Sequence, residues 1–322
     1  MKFFSVCSGI EAASVAWKPL KWECVGVCDI DPLPQAFLKQ RYPDVPLYPD
    51  MTKLNYDEKF RKSSFELLVG GTPCQSFSVA GKRKGMDDER GRLSLEYCGI
   101  LDEKQCQWNI WENVYGVFNK KHRQGLCDLM FALTGNQISV EEFDKFGKQG
   151  YLNGPKRAIA WRVLDSQFFG VPQRRKRIYI VGYNGENRKA PFAVLFESGF
   201  LENAQKEINH TKEQRARRIL NHLRIFGTIT KSMAISDGFG YDSTPGYITD
   251  AGGNRYATPI ELERAQGFPD GYTDIIYKGK PISYSQRKSL IGNSMSVPVM
   301  YWIGQRIDYV NNLINTKIIC QD

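Results

Sequence analysis

Short apolar segments of strand length alternate with helical segments along the first 181 residues of the chain. This alternation is typical of an α/β fold in which helices cover both faces of a mostly parallel sheet. Residues 117–150 are expected to form two short helices with a polar connection. The predicted strands are residues 3–7, 24–28, 65–69, 107–111, 158–164 and 177–181, and residues 34–41 are predicted to form a helix.

The regular alternation ends near residue 182. A chain of 322 residues is longer than a typical single core and favours more than one lobe. Residues 183–252 contain one clear helical pattern, at 212–226, and then a stretch rich in Gly, Ser, Asp and Tyr. Helical order returns at Pro259, a residue that is favourable at a helix start, and the last helix should begin near Pro298. We therefore divide the chain into residues 1–182, a small second lobe at 183–252, and a final segment at 253–322.

Positive charge is concentrated in one part of the chain. The formal net charge is +9, and residues 171–231 hold thirteen Lys or Arg against five acidic residues. Such a local excess favours a polyanionic partner such as nucleic acid. A solvated helical face is the alternative explanation for the same pattern.

The eight cysteines are scattered, and none forms a CxxC pair or has a mate at zinc-site spacing. We therefore predict no metal site and a reducing, cytoplasmic location. The apolar run at the N-terminus is interrupted by Ser5, Ser8 and Glu11, so it is expected to be the first core strand rather than a signal peptide. No apolar run approaches the length of a membrane span.

A ligand-binding turn is expected after the first strand. Gly9 follows that strand, and Asp29 ends the next strand twenty residues later. In doubly wound sheets this spacing places a glycine against a ligand and an acid against its ribose. Since Glu11 and Ala12 stand where a dinucleotide motif needs glycine, an adenosyl ligand without phosphates fits better than NAD. A glycine in an ordinary tight turn is the alternative.

Two further strand ends carry a thiol and a carboxyl group. Cys74 follows Gly70-Gly71-Thr72-Pro73 just past a strand, where a thiolate is well placed to act as a nucleophile. Glu112 follows Trp111, whose bulk would desolvate the carboxyl group and raise its pKa. The alternatives are a small buried cysteine and an exposed glutamate at a helix start.

A basic strand presents a third group. Gln173, Arg175 and Arg177 alternate along the sequence and therefore share one face of a strand. Buried guanidinium groups need anionic or polar partners, which a nucleotide's carbonyl and phosphates would supply. A solvated basic strand edge is the alternative.

Taken in order, these motifs resemble the C5-cytosine-specific DNA methyltransferase family of bacterial or phage type. The resemblance covers residues 3–181 and 255–300, about 70% of the chain, whereas 183–252 matches no motif. The motifs that carry it are Ser8-Gly9, Pro73-Cys74-Gln75, Glu112-Asn113-Val114, Gln173-x-Arg175-x-Arg177, Arg264-x-Gln266-Gly267-Phe268-Pro269 and Gly292-Asn293-Ser294.

The resemblance implies a Rossmann-like S-adenosylmethionine-dependent methyltransferase sheet, a small target-recognition domain at 183–252, and a return of 253–322 to complete the catalytic domain. The enzyme would flip a cytosine out of duplex DNA and methylate its C5 atom. Cys74 would attack C6 of the ring and Glu112 would protonate N3. Arg177 would bind the O2 carbonyl, with Arg175 in support.

The resemblance also implies two sets of binding residues. S-adenosylmethionine would contact Cys7, Ser8, Gly9, Ile10, Asp29, Ile30, Asp50, Met51, Pro73, Leu93 and Asn293. DNA would contact Gln75, Ser78, Arg90, Gln173, Arg218 and Arg224. The sequence departs from the family pattern at Cys7, where an aromatic residue is usual, and at Glu11 and Ala12, where glycine is usual.

Other functions stay open at this point. The chain is expected to act as a monomer on double-stranded DNA, and the sequence leaves open whether a cognate restriction endonuclease of the same host is a second partner. The alternatives are a tRNA cytosine-5 methyltransferase, a catalytically idle DNA-binding partner of another methylase, and an NAD oxidoreductase. Intact Cys74, Glu112 and Arg177 argue against the idle partner, and the missing glycines argue against the oxidoreductase.

Overall fold

A single eight-stranded sheet organises the structure, a computed structural model that describes residues 1–73, 89–196, 247–250 and 253–316. The spatial order of the strands is β3-β2-β1-β4-β5-β8-β7-β6. The strands are β1 (Lys2–Val6), β2 (Glu23–Cys28), β3 (Leu47–Tyr48), β4 (Leu67–Gly70), β5 (Trp108–Val114), β6 (Gln149–Leu152), β7 (Ala158–Asp165) and β8 (Lys176–Tyr183).

Helices and short hairpins complete the described part of the chain. The helices are α1 (Ala12–Trp17), α2 (Pro32–Arg41), α3 (Glu58–Lys62), α4 (Glu89–Lys104), α5 (Arg123–Thr134), α6 (Val140–Phe146), α7 (Ala190–Leu195), α8 (Pro259–Gln266), α9 (Tyr284–Asn293) and α10 (Val297–Asn315). The hairpins pair β9 (Tyr247–Asp250) with β10 (Gly253–Tyr256), and β11 (Ile276–Tyr277) with β12 (Lys280–Pro281).

The sheet is mostly parallel, as the sequence predicted. Strands β3, β2, β1, β4 and β5 run parallel, whereas β8 is antiparallel to β5 and β7, and β6 is antiparallel to β7. The antiparallel direction of β8 has a simple cause. Only residues 166–175 connect β7 to β8, which is too short for the crossover that a parallel neighbour needs.

Both faces of the sheet are buried. One face packs mainly against α1, α7, α8 and α10, and the other against α4 and α5. The bulky side chains of Trp108 and Trp161 lie on opposite faces and are fully buried. Because the sheet is covered on both sides, a ligand can reach its backbone only at an edge, and the carboxyl ends of the parallel strands provide one.

The final segment returns to the first. Helix α10 packs against α1, where the indole Nε1 of Trp17 donates to the Met300 carbonyl at 2.8 Å. Tyr272 donates to the Ile10 carbonyl at 2.8 Å, directly beside the first turn. Helix α7 also packs on α10 and β7, so residues up to 196 share the core of the large domain.

The predicted strands are confirmed, although β5 and β8 extend further than the sequence indicated. The two short helices expected within 117–150 are α5 and α6, and the last helix begins at Val297. The helix predicted at 212–226 lies outside the described residues.

Candidate active site

A left-handed turn joins β1 to α1. Cys7, Gly9 and Glu11 all have positive φ angles, of 51°, 56° and 57°. The hydroxyl of Ser8 accepts from the Cys28 amide at 3.0 Å and donates to the Ser5 carbonyl at 3.0 Å. These bonds tie the end of β1 to the end of β2, so the turn is held at the carboxyl edge of the sheet.

Asp29 lies directly across this turn. Its Oδ2 accepts from the Gly9 amide at 2.8 Å, and its Oδ1 accepts from the Asp31 amide at 3.0 Å. The adjacent Ile30 side chain is 72% exposed, which is unusual for a large apolar residue at a strand end. The structure therefore brings Gly9 and Asp29 together as the sequence spacing indicated, with an apolar surface beside them.

The other predicted cofactor residues are dispersed around this edge. Asp50 begins the turn after β3 by accepting from the Thr52 amide at 3.0 Å, and the neighbouring Met51 is buried. Pro73 is exposed at the end of the described chain before residue 74, and Leu93 is half-buried on α4. Ile10 is fully buried in the core and its carbonyl is already bonded, so its side chain is not on the ligand side of the turn.

One cleft joins the turn to the end of β5. The predicted residues Cys7, Ser8, Glu112 and Asn293 all line it. Burial, and then the charge of Asp29, raise the pKa of the Cys7 thiol to about 12. The other lining residues are Ser5, Glu11, Ala12, Ala13, Val69, Gly71, Ser294 and Met295.

Glu112 and Arg177 form a buried pair in this region. Strand pairing sets Glu112 opposite Tyr179, two residues from Arg177 on the same face. The Nε atom of Arg177 lies 3.2 Å from Oε1 of Glu112, and both side chains are 11% exposed. Burial raises the pKa of Glu112, and the charges of Arg177 and Arg175 oppose that rise. The carboxyl group is therefore easier to protonate than one in water.

Trp111 has a different role from the one predicted. Its side chain lies on the opposite face of the sheet because neighbouring residues of a strand point to opposite sides. The indole Nε1 donates to the Thr72 hydroxyl at 3.0 Å rather than covering Glu112. The raised pKa of Glu112 comes from burial within the domain as a whole.

Arg175 binds a turn of the final segment. Its guanidinium donates to the Gly292 carbonyl at 3.2 Å and to the Ser294 carbonyl at 2.6 Å. Burial, and then repulsion by Arg177, lower the pKa of Arg175 to about 9. Gln266 donates to the same turn, at the Ile291 carbonyl. Arg175 thus supports the cleft wall that carries Asn293. The sequence analysis predicted only that Arg175 would support Arg177.

Gln173 lies inside the protein. It is fully buried, and its backbone carbonyl accepts from the Ser166 hydroxyl at 3.1 Å. The predicted contact with DNA is therefore not available to its side chain in this structure. The predicted alternation agrees with the burial of Gln173 and Arg175 and the exposure of Arg174 and Lys176, although β8 begins only at Lys176.

Thr72 is the centre of a buried network that the sequence analysis missed. Its hydroxyl lies 2.6 Å from the Ser94 hydroxyl and accepts from Trp111. Its carbonyl accepts from the Asn113 amide group at 2.7 Å. The network joins the end of β4, α4 and β5 immediately before residue 74. A threonine between Gly71 and Pro73, and an asparagine next to Glu112, were the available signals.

Several predicted residues fall outside this description. Cys74, Gln75, Ser78, Arg218 and Arg224 lie outside the described residues, as does the side chain of Arg90. Among the described residues, the thiol loop can be followed to Pro73. A Cβ atom at Gly71 would lie 3.2 Å from Oε2 of Glu112, so the chain leads into this loop beside the carboxyl group.

Comparison with known proteins identifies the family. A family model described as C-5 cytosine-specific DNA methylase matches residues 1–239. The chain belongs to this family. It is 28% identical to the type II methyltransferase M.HpaII of Haemophilus parainfluenzae, over 95% of this chain and 88% of that protein.

Another relative has a name that describes a different activity. The chain is 29% identical to a protein of Escherichia phage P1 named DNA N-6-adenine-methyltransferase, over 98% of this chain. The match spans only 61% of that phage protein. Since the remainder of the phage protein lies outside the match, the adenine activity in its name does not carry over to the shared part.

Solved structures share the fold of this family member. Methyltransferase EhMeth of Entamoeba histolytica superposes with a TM-score of 0.60 at 15% identity, over 95% of this chain and 97% of that one. DNMT2 of Spodoptera frugiperda gives 0.59 at 18% identity, over 95% and 99%. Within the described part of the chain, no helix has both the length and the apolar character needed to cross a bilayer.

Proposed function

We propose that the chain is a DNA cytosine-5 methyltransferase that uses S-adenosylmethionine and forms a covalent bond between Cys74 and C6 of a flipped cytosine. The buried pair of Glu112 and Arg177 is the observation that supports this most strongly. The carboxyl group of the pair lines a cleft that also includes the turn after β1, and the guanidinium group of Arg177 lies beside that carboxyl group. Gly71 brings the chain past this pair three residues before Cys74.

The residues around the cleft fit S-adenosylmethionine. A Cβ atom at Gly9 would meet nothing within 4 Å, so there is open space against the backbone of the turn. Asp29 can accept ribose hydroxyls, and the exposed Ile30 offers an apolar surface for adenine. The turn lacks the glycine-rich amides that a pyrophosphate needs, which disfavours NAD. When bound, S-adenosylmethionine supplies a methyl group on a positively charged sulfur.

In the proposed mechanism, the protein makes C5 of cytosine electron-rich. The thiolate of Cys74 adds to C6 while Glu112 gives a proton to N3, and Arg177 holds the O2 carbonyl. This addition breaks the C5–C6 double bond and leaves an electron pair at C5 for the new methyl group. Loss of the C5 proton to a base then restores the double bond and expels Cys74, and N3 returns its proton to Glu112. Both Glu112 and Arg177 act where charge develops.

Cys74 is a better candidate for the nucleophile than Cys7. Among the described residues, Cys7 is the cysteine that lines the cleft. A thiol with a pKa of about 12 is almost entirely protonated near neutral pH, and a thiol is a weak nucleophile. Cys74 follows the loop that Thr72 anchors through Ser94, Trp111 and Asn113.

The recognition lobe is assigned from the charge pattern and the packing. Because α7 packs in the core of the large domain, we place the start of this lobe after residue 196 and keep its end at 252. Arg218 and Arg224 within it are proposed to contact phosphates, as is Arg90. Gln75 and Ser78, next to Cys74, are proposed to contact the flipped nucleotide and its neighbours.

The site chemistry favours cytosine over adenine. Methylation of an exocyclic amine proceeds by direct attack of the nitrogen and requires no thiol adduct. An acid, a guanidinium and a thiol loop are what addition across the C5–C6 bond needs. A tRNA cytosine would require the same three groups, so the choice between DNA and tRNA rests on the family match and the basic segment.

Trapping with a fluorinated substrate tests the mechanism. DNA from a host that expresses the protein, mapped for 5-methylcytosine, identifies the target site. Duplex DNA with 5-fluorocytosine at that site should then form a denaturation-resistant complex, because fluorine blocks the final elimination. Cys74→Ala should abolish the complex, and Cys127→Ala, which alters a buried thiol on α5, should retain it.

Three results would contradict the proposal. A complex that persists in Cys74→Ala and is lost in Cys7→Ala would move the nucleophile to the cofactor turn. Transfer of labelled methyl groups to tRNA but not to duplex DNA would change the substrate. Recovery of the label as N6-methyladenine would show that the enzyme methylates the adenine amino group and not C5 of cytosine.

A further inference from the structure

Glu11 occupies a costly position in the turn between β1 and α1. Its φ angle of 57° is in the left-handed region, where glycine is the favoured residue. Its side chain is only 1% exposed. Burial raises the pKa of the carboxyl group to about 7, and the nearby hydroxyl groups of Ser5 and Ser14 offset only part of that rise. A strained and desolvated carboxyl group at a ligand cleft calls for a compensating contact.

The two oxygens of Glu11 have different surroundings. Oε1 accepts from the Ser14 amide at 3.2 Å and from its hydroxyl at 3.1 Å, which caps the start of α1. Oε2 is buried and has no hydrogen-bond partner among the described residues. Glu11 lines the cleft together with Cys7, Ser8 and Asn293. The cap therefore explains one oxygen and leaves the other available to a ligand.

Among the described residues, no side-chain cation neutralises Glu11. The titratable groups that face it are Cys24 on β2, Tyr42 after α2 and Tyr272 of the final segment. Burial raises the pKa of all three, so they are uncharged near neutral pH. Glu112 lies further along the same cleft and is also acidic. When it is ionised, the Glu11 carboxylate is therefore a buried negative charge that no side-chain cation among the described residues balances.

We infer that Glu11 binds the α-ammonium group of the amino-acid part of S-adenosylmethionine through Oε2. This inference rests on the proposed cofactor. A desolvated carboxylate and an ammonium group form a strong charge-assisted hydrogen bond, because each offsets the burial of the other. Asp29 and Ile30 lie on the β2 side of the turn and suit the ribose and adenine. Glu11 lies on the α1 side and lines the cleft itself.

Two ligands separate this contact from the rest of the cofactor site. S-adenosylmethionine carries the ammonium group, whereas 5′-methylthioadenosine has the same adenosine and sulfur but no amino acid. Calorimetric titration of Glu11→Gln should show S-adenosylmethionine binding weakened roughly tenfold to a hundredfold, the loss expected for one hydrogen bond between charged groups. The affinity for 5′-methylthioadenosine should match that of the wild type.

The pH dependence of binding provides a second measurement. A protonated Glu11 cannot pair with an ammonium group, so the wild type should bind S-adenosylmethionine more weakly as pH falls below about 7. Glu11→Gln should lose this dependence. In both proteins, 5′-methylthioadenosine binding should be insensitive over the same range.

Further variants guard against trivial explanations. Ser14→Ala removes the hydroxyl donor to Oε1 and keeps the amide donor and the carboxylate, so the affinity for S-adenosylmethionine should be unchanged. Glu11→Gly relieves the left-handed strain and should fold even if Glu11→Gln does not, with the same selective loss of affinity. Equal weakening of both ligands, or no weakening of either, would overturn the inference. A wild type that binds neither ligand would instead refute the proposed cofactor.

Discussion

At the scale of single residues, three of the ionisable groups that the fold buries lie at the carboxyl edge of the sheet. Glu11, Glu112 and Arg175 are all at most 9% exposed. Burial raises the pKa of the two carboxyl groups and lowers the pKa of the guanidinium group, which favours the neutral form of each. Burial of charge lowers stability unless a partner is present. Arg177 is such a partner for Glu112, and protein carbonyls serve Arg175. Among the described residues, the Glu11 side chain has no cation beside it, and its hydrogen bonds are those that cap α1.

Glu11 should therefore make the free protein less stable as pH rises. Its folded pKa of about 7 exceeds the ordinary value of 4.5, so the folded state holds the proton more tightly. The resulting stability is fully present below pH 4.5 and is lost as pH rises through about 7. The difference corresponds to about 3 kcal/mol at most. Glu11→Gln should thus be more stable than the wild type at pH 8 and similar at pH 4.5.

Urea unfolding at the two pH values measures this effect. Exposed Glu103→Gln is the matched control and should not change the difference between the two pH values. If Glu11→Gln is destabilised equally at both pH values, the carboxylate contributes through its cap alone. The expected result, a variant that is more stable but binds the cofactor more weakly, is the usual exchange of stability for function.

At the scale of elements, the sequence indicates well where the strands lie but poorly how neighbouring strands pair in the sheet. Residues 24–28 match β2 almost to the residue because a run of buried apolar side chains needs no tertiary information. β3 has two residues and was missed because so short a segment has no pattern of its own. The direction of β8 was readable from its short connection to β7, but the alternation of strands and helices suggested a parallel neighbour.

The site residues were predictable from the sequence where they follow strands that are neighbours in the sheet. Gly9 and Asp29 meet because both follow strands that are neighbours in the sheet, which chain spacing can reveal. Arg175 binds carbonyls more than a hundred residues away, and no local pattern contains that information. Trp111 was placed beside Glu112 from their adjacency in sequence, although adjacent strand residues face opposite sides. Contacts between distant segments were therefore the part that sequence reasoning missed.

Arg175 should be the residue that fastens the α9–α10 turn to β8. Arg175→Met removes two hydrogen bonds from a charged donor and leaves the Gly292 and Ser294 carbonyls buried, at a cost of about 3 kcal/mol. Asn293 lines the cleft, so S-adenosylmethionine binding should weaken as well. Exposed Lys176→Met is the control, with an expected change within about 0.5 kcal/mol. Denaturation curves that coincide for both variants would show that the turn is held by Gln266.

At the scale of the whole molecule, the C-terminal segment packs against the N-terminal part of the chain. Helix α10 lies against α1, and the indole of Trp17 meets it between Met300 and Gly304. Arg41 binds the carbonyls of Gly271 and Asp274, in the segment before the β11–β12 hairpin. The turn between β1 and α1 is thus supported by residues near the C-terminal end of the chain. Stability and ligand binding should respond together when this contact is disturbed.

Two glycines on helices make this coupling measurable. A Cβ atom at Gly304 of α10 would lie 2.4 Å from Nε1 of Trp17, so Gly304→Ala must displace the indole and its bond to Met300. The cost should be about 2 kcal/mol, with weaker S-adenosylmethionine binding because α1 follows the cofactor turn directly. Gly99→Ala on α4 meets nothing within 4 Å and should instead stabilise the protein by roughly 0.5–1 kcal/mol. Thermal unfolding with and without S-adenosylmethionine measures the expected loss of stability in Gly304→Ala and the expected gain in Gly99→Ala. If Gly304→Ala changed neither stability nor binding, α10 would not support the turn.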